Sequence, residues 1–328
     1  MKTQTVVGSN AHTEQATKRV IAHLEAAGRG SGRAVSDLFA DFCALTRITL
    51  QQEARRYMRQ HAPSDLGDVA WQANFDKHEQ VYLDIAKRHS SEALKEMAAA
   101  LGELQMAVRQ ADGYGYNDWL GDIYMSTVVS NAKQKWNGTF FTPFHLCVMM
   151  AQMTIDDAEA ECNERVTHAM QRAGLPMATY DSPEAALRTN YDTLAPHLQP
   201  ITVCEPACGS GAMVIAFASV APRWAIELGL YRFTCIDIDP VCADMCMIQC
   251  WLYGLHAEVY CADALTMPMV DRLPEPHRSH ALRAEVVRAE TLTKKAEAVE
   301  RVKQERVGQL KLFESAIALP HSIRTDVT

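Results

Sequence analysis

The run Glu205-Pro206-Ala207-Cys208-Gly209-Ser210-Gly211 links a β-branched segment, residues 201–204, to an apolar one, Ala212–Val220. A strand that ends in acid-x-x-x-Gly-x-Gly and enters a helix brings bare backbone up to a ligand. Its glycines remove Cβ atoms that would clash, and the helix start offers free N–H groups. The bland alternative is a tight strand-to-helix turn. The run lacks the third glycine of a dinucleotide fingerprint. A second acid, Asp237, closes the next β-rich segment 32 positions after Glu205, and a third, Asp263, closes the one after that. Carboxylates at three strand ends outline an adenosine-shaped site at the carboxyl edge of a parallel sheet.

The elements that must position these residues are legible from periodicity. Strands are expected over 201–204, 231–236 and 258–261, with helices over Ala212–Val220 and from Pro240 to Tyr253, the latter stopped by Gly254. Strand–helix–strand–helix–strand at this spacing is a parallel α/β unit. Upstream, residues 12–110 read as helical. Leu38, Phe39, Phe42, Leu45 and Ile48 give one apolar face, and Leu94, Met97, Ala98, Leu101, Leu104 and Val108 another. Pro63 and Gly67 interrupt the pattern, and Ser90 or Ser91 would cap the later helix. A Gly/Asn/Asp-rich loop over 111–119 leads to a helix over 119–131 and a turn at Trp136-Asn137-Gly138. Thr142 as cap and Pro143 at the first position then open a helix expected to reach Arg172, followed by a loop and a short helix over 183–194. Downstream, Pro268, Pro274 and Pro276 mark a linker before a charged helix over 281–319, which mixes 8 Lys/Arg with 6 Glu. That mixture suits a solvated face or a partner helix better than a DNA arm.

At the glycine run the resemblance to a family becomes specific. Glu-Pro-Ala-Cys-Gly-Ser-Gly resembles the first motif of S-adenosylmethionine-dependent, adenine-specific DNA methyltransferases, nearest the modification subunits of type I restriction systems. Gly121-Asp122-Ile123-Tyr124 and Gly138-Thr139-Phe140-Phe141-Thr142-Pro143 are similar to the stretch these proteins place before the cofactor domain. Ile236-Asp237-Ile238-Asp239-Pro240 and Ala262-Asp263-Ala264-Leu265 extend the likeness, which covers residues 119–265. The resemblance implies an α/β fold: a Rossmann-like methyltransferase core with a curtailed parallel sheet, a helical N-terminal domain and a long C-terminal helix. The corresponding divisions are 1–135, 136–268 and 269–328. It further implies that Thr142 touches the methionine carboxylate of the cofactor and Glu205 faces its amino group. The backbone of Pro206, Ala207, Cys208, Gly209 and Gly211 would line the methionine and sulfonium. Asp237 would take the ribose hydroxyls, Ile238 would pack on adenine, and Asp263 with Ala264 would meet its exocyclic amine. Asp239 reads instead as a helix cap before Pro240.

The chain departs from the family where methyl transfer itself is performed. The Asn/Asp/Ser-Pro-Pro-aromatic tetrapeptide that accepts hydrogen bonds from the target amine, and stacks on the flipped base, does not occur in the sequence. No fourth strand is expected after Leu265, so the first strand keeps an uncovered edge, an association hazard. The C-terminal helix, a second copy or another protein is expected to cover it. Three readings follow: a DNA adenine N6-methyltransferase completed by a partner, a non-catalytic cofactor-binding sensor or decoy, and a methyltransferase with another acceptor.

Composition bounds these readings. The 328 residues hold 32 Lys and Arg against 40 Asp and Glu, a formal charge of −8, with 48% hydrophobic and 22% charged residues, as in folded proteins. Residues 271–328 carry 11 Lys/Arg and 9 Asp/Glu, or +2, leaving −10 on residues 1–270. An acidic surface does not hold phosphates unaided, so DNA contact is expected through a partner. The start of the chain has no apolar signal core and no apolar run reaches membrane-spanning length, which with ten cysteines suggests reduced thiols and a cytoplasmic setting. Cys242, Cys246 and Cys250 recur at i, i+4, i+8 and read as core packing, with no metal site expected. Cys208 beside a helix start is a candidate reactive thiol.

Overall fold

The computed structural model describes residues 10–61, 68–110, 115–128, 141–266 and 277–278. The chain is α/β, mostly helical, with a small parallel sheet. The helices are α1 (Asn10–Gly28), α2 (Val35–His61), α3 (Asp68–Ala86), α4 (Ser91–Gln110), α5 (Trp119–Thr127), α6 (Phe144–Thr154), α7 (Ala158–Ala173), α8 (Pro183–Thr189) and α9 (Tyr191–Leu194). Then come β1 (Ile201–Glu205), α10 (Ala212–Val220), α11 (Arg223–Glu227), β2 (Tyr231–Asp237), α12 (Pro240–Tyr253), β3 (Ala257–Cys261) and the two-residue β4 (His277–Arg278).

The sheet order is β1-β2-β3-β4, with β1–β2 and β2–β3 parallel and β3–β4 antiparallel. Both crossovers run the same way along the sheet, so their common hand places α10 and α12 on one face. That face holds Tyr231, Phe233, Cys235, Ala257 and Val259, packed in one core with Val214, Ala218, Met247 and Cys250. On the opposite face Thr202, Cys204 and Arg232 are exposed. Among the described residues β1 pairs only with β2, so its outer edge carries no strand. The short β4 was not expected from sequence, because two residues give no periodic signal. It lies on the far edge of β3.

Several expected elements are redrawn. The helix expected from Pro143 to Arg172 is two helices, broken at Ile155-Asp156-Asp157, where the Asp157 carboxylate accepts from Ala160 N at 3.0 Å and starts α7. Pro143, not Thr142, is the cap of α6: Leu146 N donates to Pro143 O, and no side chain caps the helix. The short helix over 183–194 is also two, α8 and α9, with Ser182 as N-cap and Pro183 at the first position. The helix expected over 119–131 ends at Thr127, and the Trp136-Asn137-Gly138 turn lies outside the described residues. So do the boundary drawn near residue 135 and all of 279–328, including the expected C-terminal helix. Ser90 supplies the cap of α4, its hydroxyl accepting from Ala93 N at 3.1 Å.

In the N-terminal helices, α2 buries the expected Leu38, Phe39, Phe42, Leu45 and Ile48. In α4 the buried line is Ala93, Met97, Ala100, Leu104 and Ala107, while Ala98 is exposed. The small alanines face α1, which answers with Ala16, Val20, Leu24 and Ala27, so the backbones approach closely and the larger leucines flank the seam. This layer shares one core with Cys242, Met245 and Ile248 of α12. The sheet helix α12 is therefore covered on both sides, by strands and by helices.

One buried ion pair crosses that seam. Arg47 of α2 donates to the Asp244 carboxylate of α12, both nearly inaccessible, and Arg47 also reaches Gln51. Burial pushes the Asp244 carboxyl up, and Arg47 pulls it back. Removing one partner leaves an uncompensated charge, so Arg47→Met should lower unfolding stability by about 3 kcal/mol in urea titration. The double variant Arg47→Met with Asp244→Leu should recover most of that loss. Equal stability of single and double variants would show the pair to be energetically idle.

Candidate functional site

The glycine run forms the turn between β1 and α10. Cys208 N donates to Ile236 O at 2.9 Å and Gly211 N to Cys208 O at 2.7 Å, which folds the turn back over the end of β2. Gly209 and Gly211 hold φ of +52° and +95°, conformations that L side chains rarely adopt. A Cβ at Gly209 would sit 3.0 Å from the Phe141 ring, and one at Gly211 3.1 Å from Cys246 Sγ. Glycine at these positions thus answers both dihedral and space.

The carboxylates come together as expected at the first two strand ends. Asp237 Oδ2 accepts from Gly209 N at 2.8 Å and its Oδ1 from Asp239 N at 2.9 Å, so the end of β2 grips the glycine turn directly. Glu205 Oε1 accepts from Ala207 N at 3.3 Å. Burial raises the Glu205 carboxyl above its ordinary value; the Ala207 N–H offsets this, and Cys235 and Asp237 add to the rise. Directly after Asp237, Ile238 stands 70% exposed, an apolar side chain held out at the end of β2. Pro206 and Ala207 form the exposed outer turn, whereas Cys208 turns its side chain inward.

Asp263 and Thr142 are less closely tied in. Asp263 follows β3, and Ala262 N donates to Asp237 O at 2.9 Å, so the third strand end adjoins the second. The Asp263 carboxylate accepts from Leu265 N at 2.9 Å, closing its own turn, which holds it below the usual range. Ala264 is half-buried beside it. Thr142 is exposed, and its carbonyl accepts from Cys147 Sγ at 3.5 Å. Among the described residues no hydrogen bond links the side chains of Thr142 or Asp263 to Glu205 or Asp237. Asp239 caps α12, its Oδ1 accepting from Val241 N at 2.8 Å, as expected.

The residues that fix the turn from below were not singled out from the sequence. Asp118, buried at the start of α5, accepts from Ser210 Oγ at 2.6 Å, Gln249 Nε2 at 2.7 Å and Gly121 N at 3.0 Å. Gln249 Nε2 also donates to Ser210 O at 2.7 Å, and its Oε1 accepts from Leu120 N at 3.2 Å. Phe141 lies against Gly209 and stacks on through Tyr124 to Phe39 of α2, at ring separations of 5.5 and 5.6 Å. The signals are slight: an acid in the capping position before Trp119, and a lone glutamine in an α12 whose one other polar side chain is Asp244.

Thiols converge beneath the turn. Cys246 and Cys250, whose Sγ atoms lie within 4.8 Å of that of Cys235, draw the Cys235 thiol well down from the ordinary range. The neighbouring Cys246 thiol pulls Cys208 the same way, but burial and the charges of Cys235, Asp237 and Glu205 outweigh it. Cys208 therefore ends above its ordinary value, which corrects the reading of a reactive thiol. Cys242 does not share this face. At 100° per residue a side chain eight positions on has drifted well round the helix, and Cys242 packs with the N-terminal layer instead.

In comparison with protein-family models, curated proteins and solved structures, no match was found. Chemically, the arrangement offers bare backbone and a helix start, two adjacent carboxylates and an exposed aliphatic side chain. It suits a ligand with an apolar ring, hydroxyls and positive charge.

Burial lifts the Asp118 carboxyl, and the hydrogen bonds from Ser210, Gln249 and Gly121 only partly offset it. A raised folded value contributes stability that is complete below the unfolded pKa and is lost as pH rises through the folded one. Asp118→Ala, which strands Ser210 and Gln249, should cost about 2–3 kcal/mol. Asp118→Asn should cost less, and its deficit against wild type should shrink as pH rises from the acid range toward neutrality. Unfolding curves at several pH values test this; a deficit that grows with pH would contradict it.

Proposed function

We propose that the chain binds S-adenosylmethionine at the carboxyl ends of β1, β2 and β3, in a curtailed Rossmann-like methyltransferase core. The observation that carries this reading is the glycine turn closed by the Asp237 carboxylate at the end of β2, with the exposed Ile238 next to Asp237 in the chain. In this reading the adenine lies on Ile238 and the ribose hydroxyls meet Asp237. The ammonium and sulfonium charges lie near Glu205, whose raised carboxyl gains most from a cationic neighbour. Asp263 and Ala264 face the far side of the adenine, and Thr142, carried beside the turn by Phe141, faces the methionine carboxylate.

The reaction class that goes with this ligand is transfer of a methyl group to the N6 amine of DNA adenine. The chain lacks the tetrapeptide that accepts hydrogen bonds from that amine, and its charge of −8 does not favour phosphate. Activity therefore falls to an assembly in which a partner supplies specificity and the acceptor element. The β1 edge, unpaired among the described residues, and the exposed Thr202, Cys204 and Arg232 are where a completing protein would add. The same observations favour a second reading, a cofactor-binding subunit without catalysis, acting as sensor or decoy.

Calorimetric titration with S-adenosylmethionine should show one-site binding, weakened at least about tenfold, or 1.4 kcal/mol, by Asp237→Ala. Glu205→Gln should weaken binding while leaving adenosine affinity nearly unchanged. Tritium transfer from labelled cofactor to unmethylated DNA, with and without co-purified partners, separates the catalytic reading from the non-catalytic one. No heat of binding by the folded wild type would end both.

A further inference from the structure

Cys235 of β2 and Cys246 and Cys250 of α12 are fully buried, and their Sγ atoms all lie within 4.8 Å of one another. Cys246 and Cys250 are 4.0 Å apart. Cys208, arriving from the glycine turn, is buried next to Cys246 but lies outside that mutual 4.8 Å group. Other buried cysteines are spread out: Cys162 donates to Tyr231 Oη at 3.6 Å, Cys147 to a backbone carbonyl, and Cys43 packs among the N-terminal helices. Only here do thiols from a strand and a helix converge, with the turn cysteine Cys208 alongside.

We propose that Cys235, Cys246 and Cys250 bind a Zn2+ ion, with Cys208 as the fourth ligand. Four thiolates at Zn–S distances of about 2.3 Å stand about 3.8 Å apart in a tetrahedron, and the 4.0 Å Cys246–Cys250 separation already fits. Positions i and i+4 lie on one helical face, so α12 supplies two ligands without distortion. Cys235 meets them from the sheet. An all-sulfur donor set selects a thiophilic cation over Mg2+ or Ca2+. The excess negative charge of four thiolates around Zn2+ faces the N-terminus of α10, since a Cβ on its cap residue Gly211 would lie 3.1 Å from Cys246 Sγ.

Four protein ligands leave no open position, so the ion is structural. It bolts α12 to β2 directly beneath the glycine turn and holds Cys208, hence the turn, from inside. The site is independent of any ligand at the outer face of the turn, and its test does not rely on cofactor binding.

Elemental analysis of the full chain, purified reduced and without chelator, is expected to return about one zinc per chain. Refolding with Co2+ instead should give the strong visible bands of a tetrahedral thiolate site. Cys250→Ser should lose the metal, and Cys204→Ser, at an exposed position on β1, should keep it. If Cys250→Ser does not fold, denaturing the wild type beside a metallochromic chelator must release the ion together with the thiols. A wild-type chain that carries no zinc and shows no such bands on refolding with Co2+ overturns the site and leaves four packed thiols.

Discussion

A carboxylate taken out of water must be answered by donors, and Asp118 is answered by three elements at once. Its oxygens take the Ser210 hydroxyl from the glycine turn, the Gln249 amide from α12 and the Gly121 N–H of its own helix. Leaving any of these donors unmet costs about 1–3 kcal/mol, comparable to burying a leucine, so the three elements are fixed in relative position. From above, Asp237 holds Gly209 N, and from below Cys246 packs against Gly211. The turn is thus gripped on every side except the one that faces outward. That rigidity is what a binding turn needs, because a loop ordered only on binding would lose affinity to its own entropy.

The same economy explains why helices from the beginning of the chain belong with a sheet near its end. The α12 helix lies between the strands and the α1, α2, α4 and α5 layer, with Arg47–Asp244 and Tyr124–Phe141 crossing the seam. Both crossovers of one hand cover one face of the sheet, and among the described residues the other is exposed at Thr202, Cys204 and Arg232. Parallel sheets are ordinarily covered on both faces. Among the described residues, an exposed face and the outer edge of β1 lie side by side.

Much of this was legible in the sequence where chemistry and periodicity coincide. The β1-turn-α10 unit, α12 with its Gly254 stop, and the Asp239 cap fall where their residues place them, because Gly, Pro and Asp act locally. What was not legible depends on tertiary distance. Alanines in α4 carry no strong hydropathy, yet close approach to α1 makes them the buried line. Asp118 and Gln249 lie 131 positions apart, and neither reveals its partner. Cys242 looked equivalent to Cys246 and Cys250 until helical drift turned it to another core. Asp157 caps the start of a second helix just after the first ends at Thr154, a break that a lone acid does not announce.

The central claim is that a pre-set turn, held by Asp118 and Asp237, receives S-adenosylmethionine on its outward side. Hydrogen exchange read by mass spectrometry, with and without the cofactor, reports on it most directly. The account predicts slow exchange at Gly209 and Gly211 in the free protein and further protection over residues 205–211 and 237–240 on adding cofactor. Fast exchange across the turn in the free chain, or cofactor protection confined to other segments, would contradict it.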